Sequence, residues 1–290
     1  AETLLFARGA DSKTLDPIEA TDGESVVVID QIFERLVTWS AKTTAIVPAL
    51  ATAWKVADGG RRYVFTLRQG VRFHDGTELD AEAVVFSFRR LIEPDNPFRY
   101  GAAVAYAPNY AMIAEVRATG RLEVQFRLKH PSAVFLANLA MFPASIVSPS
   151  AVRRAGKDFR RQPVGTGPFR FVRWDPNQRI VLRRYDDYWA GPARLQHVVF
   201  VPIADNNSRA IQLEKGKIHF MDGLGPADLD RLRRCADVTV LQEPGMNFAY
   251  LAMNTQVRPF NDVRVRRAVA HAIDKRQILE LAYNGLGRIA

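Results

Sequence analysis

The chain has 290 residues, 48% hydrophobic and 24% charged, a balance that supports a buried core and excludes a collagen-like or intrinsically disordered chain. At roughly 100–200 residues per domain, this length predicts about two domains. The formal charge is +9, but residues 1–145 carry 16 Lys/Arg against 17 Asp/Glu and residues 146–290 carry 24 against 14, so the whole excess lies in the second half.

Taken in chain order, Thr3–Arg8 reads as a buried strand and Asp11–Gly23 as a loop broken by Leu15-Asp16-Pro17. From Ser25, apolar residues at Val28, Ile29, Ile32, Phe33 and Leu36 recur at spacings of three and four, which predicts a helix starting near Glu24 or Ser25. Leu50–Trp54 is read as a short turn or helix, and Tyr63–Leu67 as a strand after the turn Asp58-Gly59-Gly60. Val71–Phe73 with His74-Asp75-Gly76 is a strand and turn, followed by a helix over Ala81–Leu91 capped by Asp80. Met112–Leu128 has the alternation of a hairpin turning at Gly120, and Ala133–Ala140 is read as a helix. Phe169–Trp174 and Ile180–Tyr185 form an antiparallel pair after the tight turn Pro163–Pro168. Val198–Ile203 is an apolar strand, Asn206–Lys215 a helix, Phe220–Asp222 a short strand and Asp228–Cys235 a helix. Strands are then predicted at Val238–Gln242 and Phe248–Asn254, and one long helix over Asp262–Tyr283.

Few residues suggest chemistry. The five histidines are isolated from one another and from Cys235, so no metal-ligand spacing occurs, and a lone cysteine excludes an intrachain disulfide framework. Gly165-Thr166-Gly167 resembles a nucleotide loop only superficially, because Arg170 stands where a glycine is needed and Pro168 removes a backbone donor. Asp186, Asp187 and Asp262 could serve as acids or bases, Asp186 or Asp187 in a hydrolase, although lone capping or surface carboxylates are far commoner, and Asn206-Asn207-Ser208 is a chance-level glycosylation match. The basic pairs Arg153-Arg154, Arg160-Arg161, Arg183-Arg184 and Arg266-Arg267 are scattered among different elements without interleaved aromatics, which argues against a nucleic-acid partner. The apolar stretch Ala133–Val147 is shorter than the roughly 20 residues of a membrane span. Opening at Ala1-Glu2-Thr3 without a methionine predicts an exported chain whose signal segment has been removed.

Several blocks carry a resemblance. Asp58-Gly59 and Tyr63–Gly76, continuing into Ala83–Arg89, resemble the hallmark block of the family 5 extracellular solute-binding proteins, the dipeptide- and oligopeptide-binding components of ABC importers. Pro48–Trp54, Gly165–Phe169, Asp187-Tyr188-Trp189 and Pro259–Ala268 match in the same order. The resemblance implies an α/β, two-lobed periplasmic binding protein of type II, with mixed sheets flanked by helices and an inserted α/β subdomain in lobe I. Carried onto this chain, lobe I comprises residues 1–40 with 165–249 and an insertion over 41–164, while 250–290 begins lobe II. Family members run to roughly 500 residues, so most of the second lobe lies outside this sequence.

The function implied is an extracytoplasmic receptor, periplasmic or lipid-anchored and monomeric, that captures a di- or oligopeptide without a cofactor, passes it to an ABC permease and catalyses nothing. Relatives also bind nickel chelates, haem, opines or oligosaccharides. The implied ligand contacts in lobe I are the loop Thr21, Asp22, Gly23, Glu24 and Ser25, whose reading from the residues alone is a helix N-cap, and Tyr100; those around the hinge are Asn247, Tyr250 and Asn254. His74-Asp75-Gly76 is read as a structural turn rather than a reactive site.

Overall fold

In the computed structural model, which describes residues 2–100, 103–243, 245 and 248–289, the chain divides into a unit of residues 1–204 with 218–220 and a unit of residues 205–217 with 221–290. The first unit begins with β1 (Thr3–Arg8) and a loop that ends where the Asp22 carboxylate caps α1 (Gly23–Ile32), Oδ1 accepting from the Ser25 N–H at 2.9 Å. Val28, Ile29 and Ile32 form the buried side of α1, which stops because Phe33 turns extended. A short hairpin, β2 (Val37–Trp39) and β3 (Ile46–Pro48), leads into β4 (Ala51–Ala57) and β5 (Arg62–Leu67). Asp80 caps α2 (Ala81–Ile92), Oδ1 accepting from the Ala83 N–H at 2.9 Å; Glu82 in the first turn and Arg89 and Arg90 in the last suit the helix dipole. There follow β6 (Ile113–Gly120), β7 (Glu123–Leu128), α3 (Phe135–Leu139), α4 (Pro149–Ala155), β8 (Phe169–Asp175), β9 (Arg179–Arg184), β10 (His197–Pro202) and the two-residue β11 (Phe220–Met221), of which Phe220 belongs to this unit.

Two sheets organise this unit. One, ordered β4-β5-β7-β6, is antiparallel and packs its apolar side on α2, where the Phe88 and Phe126 rings meet edge-on at 4.8 Å. The other runs β11-β1-β10-β9-β8 and is mixed: β1 lies parallel to β10, with Thr3 opposite His197, and β10, β9 and β8 are antiparallel. Leu182, Val198, Ile180 and Phe200 turn to the side covered by α1, sharing a core with Ile29, Phe33 and Phe159. A buried ion pair ties loop to helix, the Arg90 guanidinium donating to Asp16 Oδ2 at 2.6 Å with both side chains almost wholly buried. The expectation of an α/β chain with mixed sheets flanked by helices is met.

The second unit contains α5 (Asn206–Glu214), α6 (Pro226–Arg233), α7 (Val263–Ala272) and α8 (Lys275–Tyr283). Asp205 caps α5 through the Ser208 N–H at 2.7 Å, and Glu214 and Asp228 both bind the Arg231 guanidinium. Neither α7 nor α8 buries a residue.

Five sequence readings need correction. Leu50–Trp54 lies at the start of β4, because its Ala-Thr-Ala-Trp run pairs with β5 across the turn at Asp58–Gly60 instead of closing a helical turn. Val71–Phe73 makes only a single bridge, Arg72 with Glu78, too short for a strand. The helix expected over Asp262–Tyr283 is two helices, since Asp274 accepts from the Arg276 and Gln277 N–H groups and so caps a new start, while Ile273 is extended. Among the described residues of Val238–Gln242 and Phe248–Asn254 no strand forms: these segments have strand-like composition, but no ladder partner lies beside them among the described residues. No helix among the described residues is long and apolar enough to cross a membrane.

Candidate functional site

The loop between β1 and α1 is organised by a buried cation. Arg8, at the last position of β1, is fully buried; its guanidinium donates to Ser12 Oγ at 3.3 Å and to the Glu24 backbone carbonyl, and lies 3.8 Å from the Glu24 carboxylate. The same guanidinium packs 4.9 Å from the Phe200 ring centroid. A buried charge is tolerated only when its hydrogen-bonding capacity is met, so this network fixes where the loop returns to the helix. Ser25 closes the other side: its hydroxyl donates to Asp22 Oδ2 at 3.0 Å and accepts from the Lys13 N–H at 2.9 Å. Thr14 repeats the pattern one turn earlier, its hydroxyl donating to Glu19 at 3.1 Å while accepting from the Asp16 N–H at 3.1 Å.

Within Thr21–Ser25 the side chains therefore divide. Asp22 and Ser25 spend their polar atoms on each other and on the loop backbone, whereas Thr21 and Gly23 are exposed. A Cβ added at Gly23 would meet nothing within 4 Å, so the backbone there is open to approach. Tyr100 is anchored elsewhere in the first unit: its hydroxyl donates to the Val152 carbonyl at 3.1 Å, its ring meets Phe98, and it adopts a left-handed φ of 51° at the end of the turn Pro97–Arg99. Tyr250 and Asn254 belong to the second unit, where Tyr250 is 82% exposed and Asn254 accepts from the Gln256 N–H at 2.9 Å. Asn247 lies outside the described residues.

The hallmark block has an architectural role. The His74 backbone N–H donates to the Gly165 carbonyl and its ring Nε2–H to the Gly167 carbonyl, both at 2.9 Å, while the ring stacks edge-on against Tyr185 at 4.9 Å. Burial pushes the imidazole down to about 4, so it is neutral near pH 7, and its Nδ1 has no described partner. Neighbouring Asp75 accepts from the Ser148 and Ser150 hydroxyls at 2.7 Å each; although partial burial acts to raise it, these hydroxyls and that of Thr77 hold the carboxyl below its usual range. Gly165 and Gly167 are required by the last turn of α1: a Cβ on Gly165 would collide with the Ile32 carbonyl, and one on Gly167 would come within 2.6 Å of the Gln31 carbonyl. That close approach, and not a phosphate, accounts for the glycines.

Glu34 was not anticipated from the sequence. Its carboxylate accepts from Thr166 at 2.8 Å, Tyr188 at 2.9 Å and the Trp189 indole at 3.0 Å, with the Arg68 guanidinium 3.8 Å over the Trp189 ring. Burial lifts this carboxyl above the usual range against those three donors. The Asp187-Tyr188-Trp189 block is thus a cradle for one acid. Asp186, by contrast, is exposed and paired with Arg184 at 2.8 Å, which holds it low and unlike a general acid. No group of three metal-ligating side chains occurs among the described residues.

Residues 45–290 match the family described as bacterial extracellular solute-binding proteins, family 5 Middle. The dipeptide-binding protein of Escherichia coli is 33% identical over 99% of this chain and 57% of its own length, and heme-binding protein A of Haemophilus influenzae is 34% identical over 90% and 50%. The ABC transporter-associated periplasmic binding protein of Helicobacter pylori, solved in complex with the peptide STSA, superposes with a TM-score of 0.91 at 34% identity, covering 98% of this chain and 58% of that one. The chain spans 50–58% of the length of these relatives. With its mixed sheets, its hallmark turn locked against the glycine pair and these matches, the chain belongs to the family 5 bacterial extracellular solute-binding proteins.

Proposed function

We propose that this chain is part of an extracytoplasmic receptor that captures a di- or oligopeptide between two lobes and delivers it to an ABC permease. The observation that carries the reading is the exposure of Thr21 and Gly23 in a loop held by the buried Arg8 network, in a chain that matches a peptide-bound binding protein over 98% of its length. An extended peptide is recognised mainly through main-chain hydrogen bonds, which suits a loop whose own side chains are occupied internally. Tyr100, Asn247, Tyr250 and Asn254 complete the proposed contact set with Asp22, Glu24 and Ser25. The proposed lobe I is residues 1–40 with 165–249 and an insertion over 41–164, with lobe II starting at 250; the separation of the four-stranded sheet of β4 to β7 from the five-stranded sheet supports the insertion.

The proposed receptor is periplasmic or lipid-anchored, acts as a monomer, uses no cofactor and breaks no covalent bond. A second reading, the same receptor with a non-peptide ligand, is favoured by the similarity to heme-binding protein A. Native mass spectrometry of the protein purified from its host tests both: a retained mass of a few amino acids supports the first, and retained haem overturns it. Gly23→Val should weaken dipeptide binding about tenfold while leaving the unfolding midpoint unchanged, because its Cβ meets no neighbour.

A further inference from the structure

The sequence presented arginine pairs scattered over several elements, and the fold gathers members of three of them. Arg154 from α4 and Arg161 from the turn after it line a cavity of about 660 Å³ beside β8, together with Arg173. A continuous second cavity, sharing Pro163, Val164, Phe171 and Val172 with the first, adds Arg170, Arg183, His74 and Asp75, whose carboxylate is spent on the Ser148, Ser150 and Thr77 hydroxyls. Arg154, Arg161 and Arg170 have no carboxylate within ion-pair distance among the described residues, whereas Arg173 meets Asp175 at 3.3 Å and Arg183 reaches Asp186 at 4.0 Å. Arg161 is held in place over the Trp174 ring at 4.8 Å.

Two further facts concern the strand itself. Arg170 and Arg183 stand directly opposite each other on β8 and β9, a like-charge cross-strand pair whose neighbouring carboxylate, Asp186, is shared with Arg184. β8 is also the last strand of its sheet, so one side of its backbone has no strand partner, and its residues Phe171, Val172, Arg173 and Trp174 line the groove. Phosphate can use the N–H groups and the arginines but is repelled by the carbonyls. An extended polypeptide uses both backbone groups, and acidic side chains at alternate positions reach the arginines.

We propose that this groove binds an acidic, extended polypeptide segment of a partner protein, which adds as a strand to the free edge of β8 with its carboxylates facing Arg154, Arg161 and Arg170. Strand addition supplies the main-chain hydrogen bonds and the arginines select the charge, while Val164, Phe171 and Val172 accommodate apolar residues of the segment. This site lies wholly within the first unit and does not depend on the receptor reading above.

The test is fluorescence anisotropy of the 290-residue chain with a labelled hexapeptide of alternating glutamate and valine. Binding should saturate, and Arg154→Glu/Arg161→Glu should weaken it about tenfold, with Arg154→Gln/Arg161→Gln between the two. A matching urea midpoint for the glutamine variant separates lost binding from lost fold. The two peptides N-methylated on odd or on even residues should differ, since only one set of amides faces β8; equal binding by both overturns strand addition. Equal binding of a lysine–valine peptide overturns the charge argument. Tighter binding of an oligothymidylate of equal charge assigns the groove to nucleic acid instead, and no binding of any probe sinks the proposal. Dipeptide titration of the same sample reports separately on the receptor reading.

Discussion

The helices α1 and α7 carry the same kind of sequence signal, apolar residues at spacings of three and four, yet α1 buries four residues and α7 buries none. In the first unit such faces lie on sheets; in the second, Phe248, Tyr250 and Leu281 are 76%, 82% and 77% exposed. Periodicity therefore records that a face requires a cover, without saying that the cover lies within the same stretch of chain. All four tryptophans, Trp39, Trp54, Trp174 and Trp189, lie in the first unit, so tryptophan fluorescence reads that unit and circular dichroism reads both.

The contrast is tested most strongly at the buried ion pair. Asp16→Ala leaves the Arg90 guanidinium buried and unpaired and should lower the stability of the first unit by about 3–5 kcal/mol in urea titrations followed by tryptophan fluorescence, with partial recovery in Asp16→Leu/Arg90→Met. If the single variant costs no more than a surface change, the first unit is not held as described.

His74 comes next. The unfolded chain takes up a proton on this imidazole below about pH 6.5 and the folded protein only below about 4, so the unfolded state binds more protons between those values. The stability contribution is complete above pH 6.5 and falls as pH drops through that window, by on the order of 3 kcal/mol. His74→Gln should flatten the urea midpoint against pH there; an unchanged profile assigns the acid sensitivity to another group.

Gly165→Ala forces a methyl group against the Ile32 carbonyl and should cost about 1–3 kcal/mol, whereas Gly23→Ala should stay within about 0.5 kcal/mol. The smallest effect belongs to the second unit, where Leu281→Ser should shift the circular dichroism melting midpoint by an amount corresponding to less than about 0.5 kcal/mol, against several for Ile29→Ser in α1. A large loss at Leu281 would show that α8 is covered in solution and erase the contrast.

Local signals were readable where the partner was local. The hairpin β6–β7, the pair β8–β9 and the Asp80-capped α2 follow from alternation, turn residues and a capping carboxylate. What escaped depended on distant neighbours: Arg8 looks like the polar end of an apolar strand until Ser12 and Glu24 fold over it, and nothing near Glu34 announces Thr166 or Trp189. The Asp274 cap does carry a local signal, a capping residue inside an otherwise apolar period. In the candidate site, Asp22 was legible as a cap, while the openness of Gly23 and the engagement of Tyr100 by Val152 required the fold.

The pairing of Thr3 with His197 has a kinetic meaning. Loop-closure entropy makes contacts between chain-distant residues slow to form, so the sheet of β4 to β7, built from near neighbours, is complete before β1 can find β10. During synthesis the first strand waits, unpaired, for nearly the whole first unit to emerge. Over that interval its apolar residues Leu4, Leu5 and Phe6 have no strand beside them, and closing the sheet waits on β10 and then β11.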